Sequence, residues 1–224
     1  MAKFFEHKKA LELRKEGKSY NQIKQTLRVS KSTLSYWLHD APLSSEQMKM
    51  LRDWNEVRIE KFRETWRKKK ELRLNEFYEV AKKQILPLSE RELHIAGLFL
   101  YWGEGLKGLK YPLMISNTNP TVIQFSLFWM NKILKISKES LRFKLHLYSD
   151  MDIEVEHQFW AKILKISLSQ FKKPYIKQSS SRSITYATSS FWHGTCEIYG
   201  GNIRLKERVM MELKAVSDVY KTGA

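Results

Sequence analysis

A single carboxylate set between two glycines, Tyr101-Trp102-Gly103-Glu104-Gly105, closes an apolar helical stretch and is the group best placed in this chain to act on something else. A helix stops at such glycines and a strand can begin, so Glu104 sits at a corner. A lone acid there has two uses. It can hydrogen-bond the adjacent loop, or it can hold a hard cation when a second carboxylate arrives from elsewhere. The other chemistry-bearing residues are cations. Arg142 to Tyr148 alternates, with Phe143, Leu145 and Leu147 on one side and Arg142, Lys144, His146 and Tyr148 on the other. Exposure alone would mix acids into that outer face, and the strand carries none. Lys172, Lys173, Lys177 and Arg182 form a second basic group, bordered by the polar loop expected at Ser179 to Ser183. His7, His39, His94, His157 and His193 show no metal-ligand spacing. With no phosphate-binding glycine loop and no nucleophile–base pair, a small-molecule substrate is not expected.

Composition sets the class of partner. The 224 residues carry a net charge of +16. Residues 1–90 and 91–224 each contribute +8, so the charge belongs to folded parts and not to a tail. That distribution fits a polyanion. Seven Trp and eleven Phe supply a core. Cys196 is the only cysteine, which excludes an internal disulfide and a cysteine zinc site. The first residues turn charged too soon for a signal peptide, and the apolar run from Ile95 to Trp102 is too short to span a bilayer. A cytoplasmic, nucleoid-associated protein with no membrane partner is expected.

Three short helices are predicted over residues 4–41. The first runs from Phe4 to about Glu16 and ends at Gly17. The second, near Tyr20 to Leu27, buries Tyr20, Ile23 and Leu27. A turn through Arg28-Val29 reaches Ser30, the N-cap of a third helix whose apolar side is Leu34, Trp37 and Leu38. Lys31, Ser32, Ser35 and Tyr36 then face outward. Next come two matching starts, each after a proline: Leu43-Ser44-Ser45-Glu46-Gln47-Met48 and Leu88-Ser89-Glu90-Arg91-Glu92-Leu93, both capping boxes. Between them lie about forty residues without Gly or Pro, read as one long helix or two abutting ones. Trp54, Val57, Phe62, Trp66, Phe77 and Val80 give this stretch a broken apolar stripe.

From Ser89 onward helices and strands alternate in an α+β pattern. Strands are expected at Leu113–Asn117, Arg142–Tyr148, Phe171–Lys177, Ile184–Thr188 and Thr195–Tyr199. Helices are expected from Pro120 to about Leu134, after Asp152, and from Asn202 to about Tyr220. The acids Asp150, Asp152, Glu154 and Glu156 suit a helix N-terminus. A hexapeptide occurs twice, Lys132-Ile133-Leu134-Lys135-Ile136-Ser137 and Lys162-Ile163-Leu164-Lys165-Ile166-Ser167, each copy preceded by Phe-Trp and followed by a basic strand. The repeat suggests internal pseudo-symmetry, two helices packed on one sheet.

The three helices resemble the helix-turn-helix of resolvase- and transposase-like regulators, and the third helix is then the recognition helix. Arg28, Lys31, Ser32, Ser35 and Tyr36 are its expected DNA contacts. Residues from Glu90 to Val216, above all Gly97 to Gly105, resemble a LAGLIDADG-type domain. The resemblance implies a β-saddle that binds long duplex sites and, for a single-motif chain, a homodimer with motif helices packed at the two-fold axis. It implies Glu104 as the metal-binding acid of a nuclease, with Mg²⁺ as its ion. Gly103 and Gly105 would permit close approach of partner and phosphate. Lys107, Lys110, Lys144 and His146 would line the cleavage site, with Arg142, Lys172, Lys173, Lys177 and Arg182 on phosphates. The expected organisation is a helix-turn-helix domain at 1–41, a helical linker at 42–87 and a LAGLIDADG-like α/β saddle at 88–224. The expected function is sequence-specific double-stranded DNA binding by a regulator that needs no cofactor. The alternative is a Mg²⁺-dependent homing-type endonuclease, and less so an RNA-binding, maturase-like protein stacking bases on Tyr148 and Tyr175.

Overall fold

Four serines start helical turns in this chain by the same reciprocal device. In the computed structural model, which describes residues 4–51, 54–177 and 193–220, Ser19, Ser44, Ser89 and Ser167 each accept a hydrogen bond from downstream backbone while Gln22, Gln47, Glu92 and Gln170 return to the cap backbone. Each closes two of the donors that a helix start leaves open. The chain divides into two compact units at Leu86/Pro87. The expected strand at Ile184–Thr188, the loop at Ser179–Ser183 and Arg182 lie outside the described residues.

The first unit begins with α1 (Phe4–Lys15), α2 (Tyr20–Leu27) and α3 (Lys31–Trp37). Ala10, Tyr20, Ile23, Val29, Leu34 and Leu38 form their common core. Helices of eight and seven residues are too short to stand alone, so this shared apolar face holds them. α4 (Ser45–Met50) and α5 (Trp54–Ile85) follow. Arg14 ties α5 to the short helices: its Nε donates to the Ala41 carbonyl at 2.8 Å and its Nη2 to Glu60 at 2.6 Å, both side chains buried. Glu60 also receives Arg63 at 3.0 Å, the Ser19 hydroxyl donates to buried Glu56, and the Tyr20 ring lies under both guanidinium groups. The segment expected as a separate linker therefore shares a compact unit with residues 1–41, because its opening turns supply Glu60 to Arg14 and Glu56 to Ser19. Beyond them α5 runs on for a total of 32 residues, about 48 Å. Residues 68–80 are exposed on every side.

The second unit is α+β. Its elements are α6 (Glu90–Glu104), β1 (Leu113–Asn117), α7 (Pro120–Phe128), β2 (Arg142–Tyr148), α8 (Ile153–Leu164), β3 (Phe171–Lys177), β4 (Thr195–Gly200) and α9 (Ile203–Tyr220). The sheet order is β1-β4-β2-β3, with β2 and β3 parallel and the other pairs antiparallel. Leu113, Ile115, Phe143, Leu145, Leu147, Cys196 and Ile198 point from the sheet into one core. Leu98 and Tyr101 of α6, Ile123 of α7, Trp160 of α8 and Val209 of α9 meet them there. Pro174 falls on edge strand β3, opposite the register irregularity between Lys144 and His146, where its missing N–H costs no ladder bond.

The repeated hexapeptides are structural copies. Each ends a helix with Leu134 or Leu164 buried, turns at a lysine in the left-handed region (Lys135, φ 59°; Lys165, φ 52°), makes one 3₁₀ turn and enters a strand. The two strands so produced are β2 and β3, which pair side by side. The copies differ in length. Four residues, Trp129 to Lys132, separate tryptophan from the hexapeptide lysine in the first and three, Trp160 to Lys162, in the second, counted inclusively. The extra residue is absorbed by a π-helical turn at Trp129–Ile133.

Trp129 explains one glycine. It is fully buried, and a Cβ on Gly97 would collide with its indole, so α6 packs at backbone distance on this ring. This small residue of α6 is thus spent inside the chain. Gly103, in contrast, has open space where a Cβ would go. Two outcomes follow for chemical unfolding. Gly97→Ala loses about 1–3 kcal/mol by overpacking, whereas Gly103→Ala gains up to about 1 kcal/mol from helix entropy; equal shifts for the two would refute this packing. Arg14→Ala, which leaves buried Glu60 to Arg63 alone, costs the first unit about 1–3 kcal/mol in the same measurement.

Candidate nucleic-acid interface

The alternation that fills the core leaves the opposite face of the sheet to polar side chains. Across it, in sheet order, stand Met114 and Ser116 of β1, Thr195, Glu197 and Tyr199 of β4, Arg142, Lys144, His146 and Tyr148 of β2, and Lys172, Tyr175 and Lys177 of β3. Among the described residues all helices that pack on the sheet do so from its other side. Register brings the expected cations together: Lys144 lies opposite Lys172, His146 opposite Tyr175, and Tyr148 opposite Lys177. The Lys177 ammonium sits 5.8 Å from the Tyr148 ring centre. Lys173, beside Pro174, is exposed at the irregular point of the edge strand. Arg142 also donates to the Glu139 and Leu141 carbonyls at 2.6 and 3.0 Å, which fixes its direction.

One acid interrupts this face. Glu197 lies opposite Lys144 on β4, and its Oε2 accepts from the Ser116 hydroxyl at 3.4 Å and lies 3.4 Å from Nε2 of His146. The expectation of a face without acids holds for the strand β2 but not for the sheet, since β4 inserts Glu197 between β1 and β2. His146, expected beside a cleaved phosphate, is turned toward this carboxylate. The signal was available: in Thr195–Tyr199 the parity that buries Cys196 and Ile198 sends Glu197 outward.

Glu104 lies at the other edge of the sheet. Gly105 forms a bridge with Ile115, and the Leu106 N–H donates to the Met114 carbonyl at 3.0 Å, so the end of α6 runs beside β1. Glu104 itself is exposed. Gly105 is needed by its own chain, because Tyr101 packs where a Cβ would lie. Lys107, expected on DNA, is exposed but folds back on the helix end: its ammonium donates to the Tyr101 carbonyl at 2.9 Å and to that of Gly105. Desolvation lowers its pKa, partly offset by the charge of Glu104. Lys110 is exposed in the loop before β1. Among the described residues no three His, Cys, Asp or Glu come together to hold a metal ion. The acidic run after β2 has another use: Asp152 accepts from the Glu154 and Val155 backbone at the start of α8, and buried Glu156 holds His193 at 2.8 Å.

In the first unit Lys31, Ser32, Ser35 and Tyr36 are all exposed on α3, and Leu34 and Leu38 are buried on its other side. Arg28 is exposed in the turn before it, with φ 54°, its N–H closing α2 on the Lys24 carbonyl at 2.9 Å. Ser30 caps α3 through Thr33 and shares a hydroxyl contact with Ser32 at 2.8 Å.

The sequence reading missed Lys206. It is fully buried on α9, with its ammonium on the Tyr101 hydroxyl and the Leu106 carbonyl, and no carboxylate lies within ion-pair reach of it among the described residues. Its helical spacing to Val209 and Leu213, both buried, marks the inward face and was the available signal. Burial lowers its pKa, with Lys107 adding repulsion, and burial pushes the Tyr101 phenol up to about 12. No family model, curated protein or solved structure matches this chain.

The depressed lysine gives a pH signature. Between its lowered folded pKa and the ordinary value of 10.5 the unfolded chain binds more protons than the folded one, so stability rises with pH in that window. Tyr101 acts oppositely, from 10.0 to about 12, where the folded state retains the proton. Below pH 9 the lysine effect stands with that of Lys107, and above it the Cys196 thiol, raised from 9.0 by burial, opposes them because the folded chain keeps that proton. Lys206→Met, a neutral chain of similar shape, should raise the unfolding midpoint at neutral pH and flatten the rise toward pH 9, where the Cys196 thiol begins to oppose it; an unchanged profile would remove Lys206 as its source.

Proposed function

We propose that this chain is a sequence-specific double-stranded DNA-binding protein, a regulator in which a helix-turn-helix unit is joined to a LAGLIDADG-like saddle unit. The observation that carries the reading is the one-sided sheet, with Arg142, Lys144, Lys172 and Lys177 on a face that no described helix covers. Cations in register at strand spacing meet phosphates along a backbone, and Lys31 to Tyr36 on α3 offer short hydroxyls, a lysine and a tyrosine to a groove. An exposed stripe on α6, Ile95, Phe99 and Trp102, supports the homodimer part of the proposal, with motif helices meeting at a two-fold axis.

The second reading is a homing-type endonuclease. It is favoured by Glu104, exposed at the sheet edge on a chain turn that open space surrounds at Gly103. One carboxylate per chain does not make a Mg²⁺ site, so the ion would require the second copy. In the regulator reading Glu104 needs no metal.

Selection of the full chain on a randomised duplex library in Mg²⁺, sequencing retained and newly cut molecules, separates the readings. An enriched, roughly palindromic motif without cuts supports the regulator, and cuts at a fixed position that vanish in Glu104→Gln support the nuclease. Salt titration of the selected duplex should give a steep fall in affinity. Lys172→Ala and Lys177→Ala should each weaken binding across sequences and reduce the salt slope by about 1. A flat salt response in the parent chain would sink the electrostatic reading.

A further inference from the structure

The basic face does not end evenly. Where β2 and β3 finish and β4 begins, Ser116, His146, Leu147, Tyr148, Tyr175, Lys177 and Thr195 enclose a cleft of about 410 Å³. Clefts that receive small organic groups span about 300–1,000 Å³. Its chemistry is distinct from that of the lysine row. Tyr175 is 54% exposed and meets the His146 ring at 5.7 Å between centres with a tilt of 54°, so the two rings make a wedge with one open aromatic surface. The β2 backbone at Leu147 forms the floor, the Ser116 and Thr195 hydroxyls line one wall, and Lys177 stands at the rim beside the Tyr148 ring.

A row of phosphate-binding lysines needs none of this. Paired bases in a duplex present only edges, and an edge does not use an aromatic plane. An unstacked base does: it stacks on an aromatic ring, offers its edge to hydroxyls, and leaves its phosphate to a cation at the mouth. We propose that this cleft receives one unpaired nucleobase of a nucleic acid lying on the basic face. The inference rests on the nucleic-acid reading of that face and adds a preference to it. The strand runs along Lys144 and Lys172, its phosphate meets Lys177, and the displaced base lies on Tyr175 with His146 at its edge. Nε2 of His146 is buried 3.4 Å from Glu197 on the same face without forming a hydrogen bond, so the ring itself is what His146 offers to the cleft. A duplex carrying a bulged or mismatched nucleotide has already paid part of the unstacking cost, so it is the preferred ligand.

The test uses the full chain and two duplexes of one sequence, one fully paired and one with a single unpaired 2-aminopurine. The bulged duplex should bind roughly tenfold to a hundredfold more tightly, with the 2-aminopurine fluorescence changing on binding. Tyr175→Ala should remove the preference and leave the paired duplex bound as before, and Tyr175→Phe should restore it. Because Tyr175 is exposed, neither change threatens the core. Equal affinity for the two duplexes, or a preference that survives Tyr175→Ala, overturns the cleft and leaves the proposed function standing. Failure of both duplexes to bind overturns the reading of the whole face, and the cleft with it.

Discussion

A strand has two faces, and in the second unit helices cover one of them. That asymmetry governs almost everything else. Phe143, Leu145 and Leu147 must meet the helices, so Arg142, Lys144, His146 and Tyr148 have no choice of side. A slip of one residue would bury two cations with His146 and Tyr148 and expose three large apolar groups, and that cost fixes the register of β2. Pairing of β3 alongside then carries Lys172 and Lys177 onto the same face. The basic surface is therefore a by-product of core packing as much as a feature beside it: sequence could vary its charge, but not its side.

The end of α6 obeys a second electrostatic rule. Carbonyls at a helix C-terminus have no intrahelical donors and carry partial negative charge. Two ammonium groups answer them, Lys107 on Tyr101 and Gly105 and Lys206 on Leu106. This arrangement joins α6, the following loop and α9 through a small set of carbonyls, and the backbone then pairs with β1. It also gives Lys107, exposed beside Glu104, partners within its own chain. Burying Lys206 without a carboxylate is costly, and the structure accepts that cost in return for a fixed corner at Glu104.

Much of this architecture was legible in the residues, and the limits have physical causes. The capping boxes at Ser44 and Ser89 and the alternation in Arg142–Tyr148 are local, so sequence displayed them. The hexapeptide repeat was visible as letters, and its left-handed lysines and paired strands turned it into geometry. What stayed hidden depends on contacts distant in sequence. Glu197 reaches the basic face only because β4 lies between β1 and β2. Arg14 finds Glu60 46 positions away, which draws the start of α5 into the first unit. The use of Gly97 depends on Trp129, 32 positions on, and only the fold brings the two together.

The π-helical turn at Trp129–Ile133 bears on how such a chain can change over generations. One inserted residue in an ordinary helix rotates everything after it by about 100°. Leu134 would leave the core and β2 would be presented out of phase with β3. Widening a single turn keeps the angular phase of the downstream segment and confines the insertion to five residues. The two halves of the repeat are thus free to differ in length while remaining equivalent in orientation. A duplicated unit with that tolerance can diverge in its outer side chains, one half at a time, without renegotiating the core beneath them.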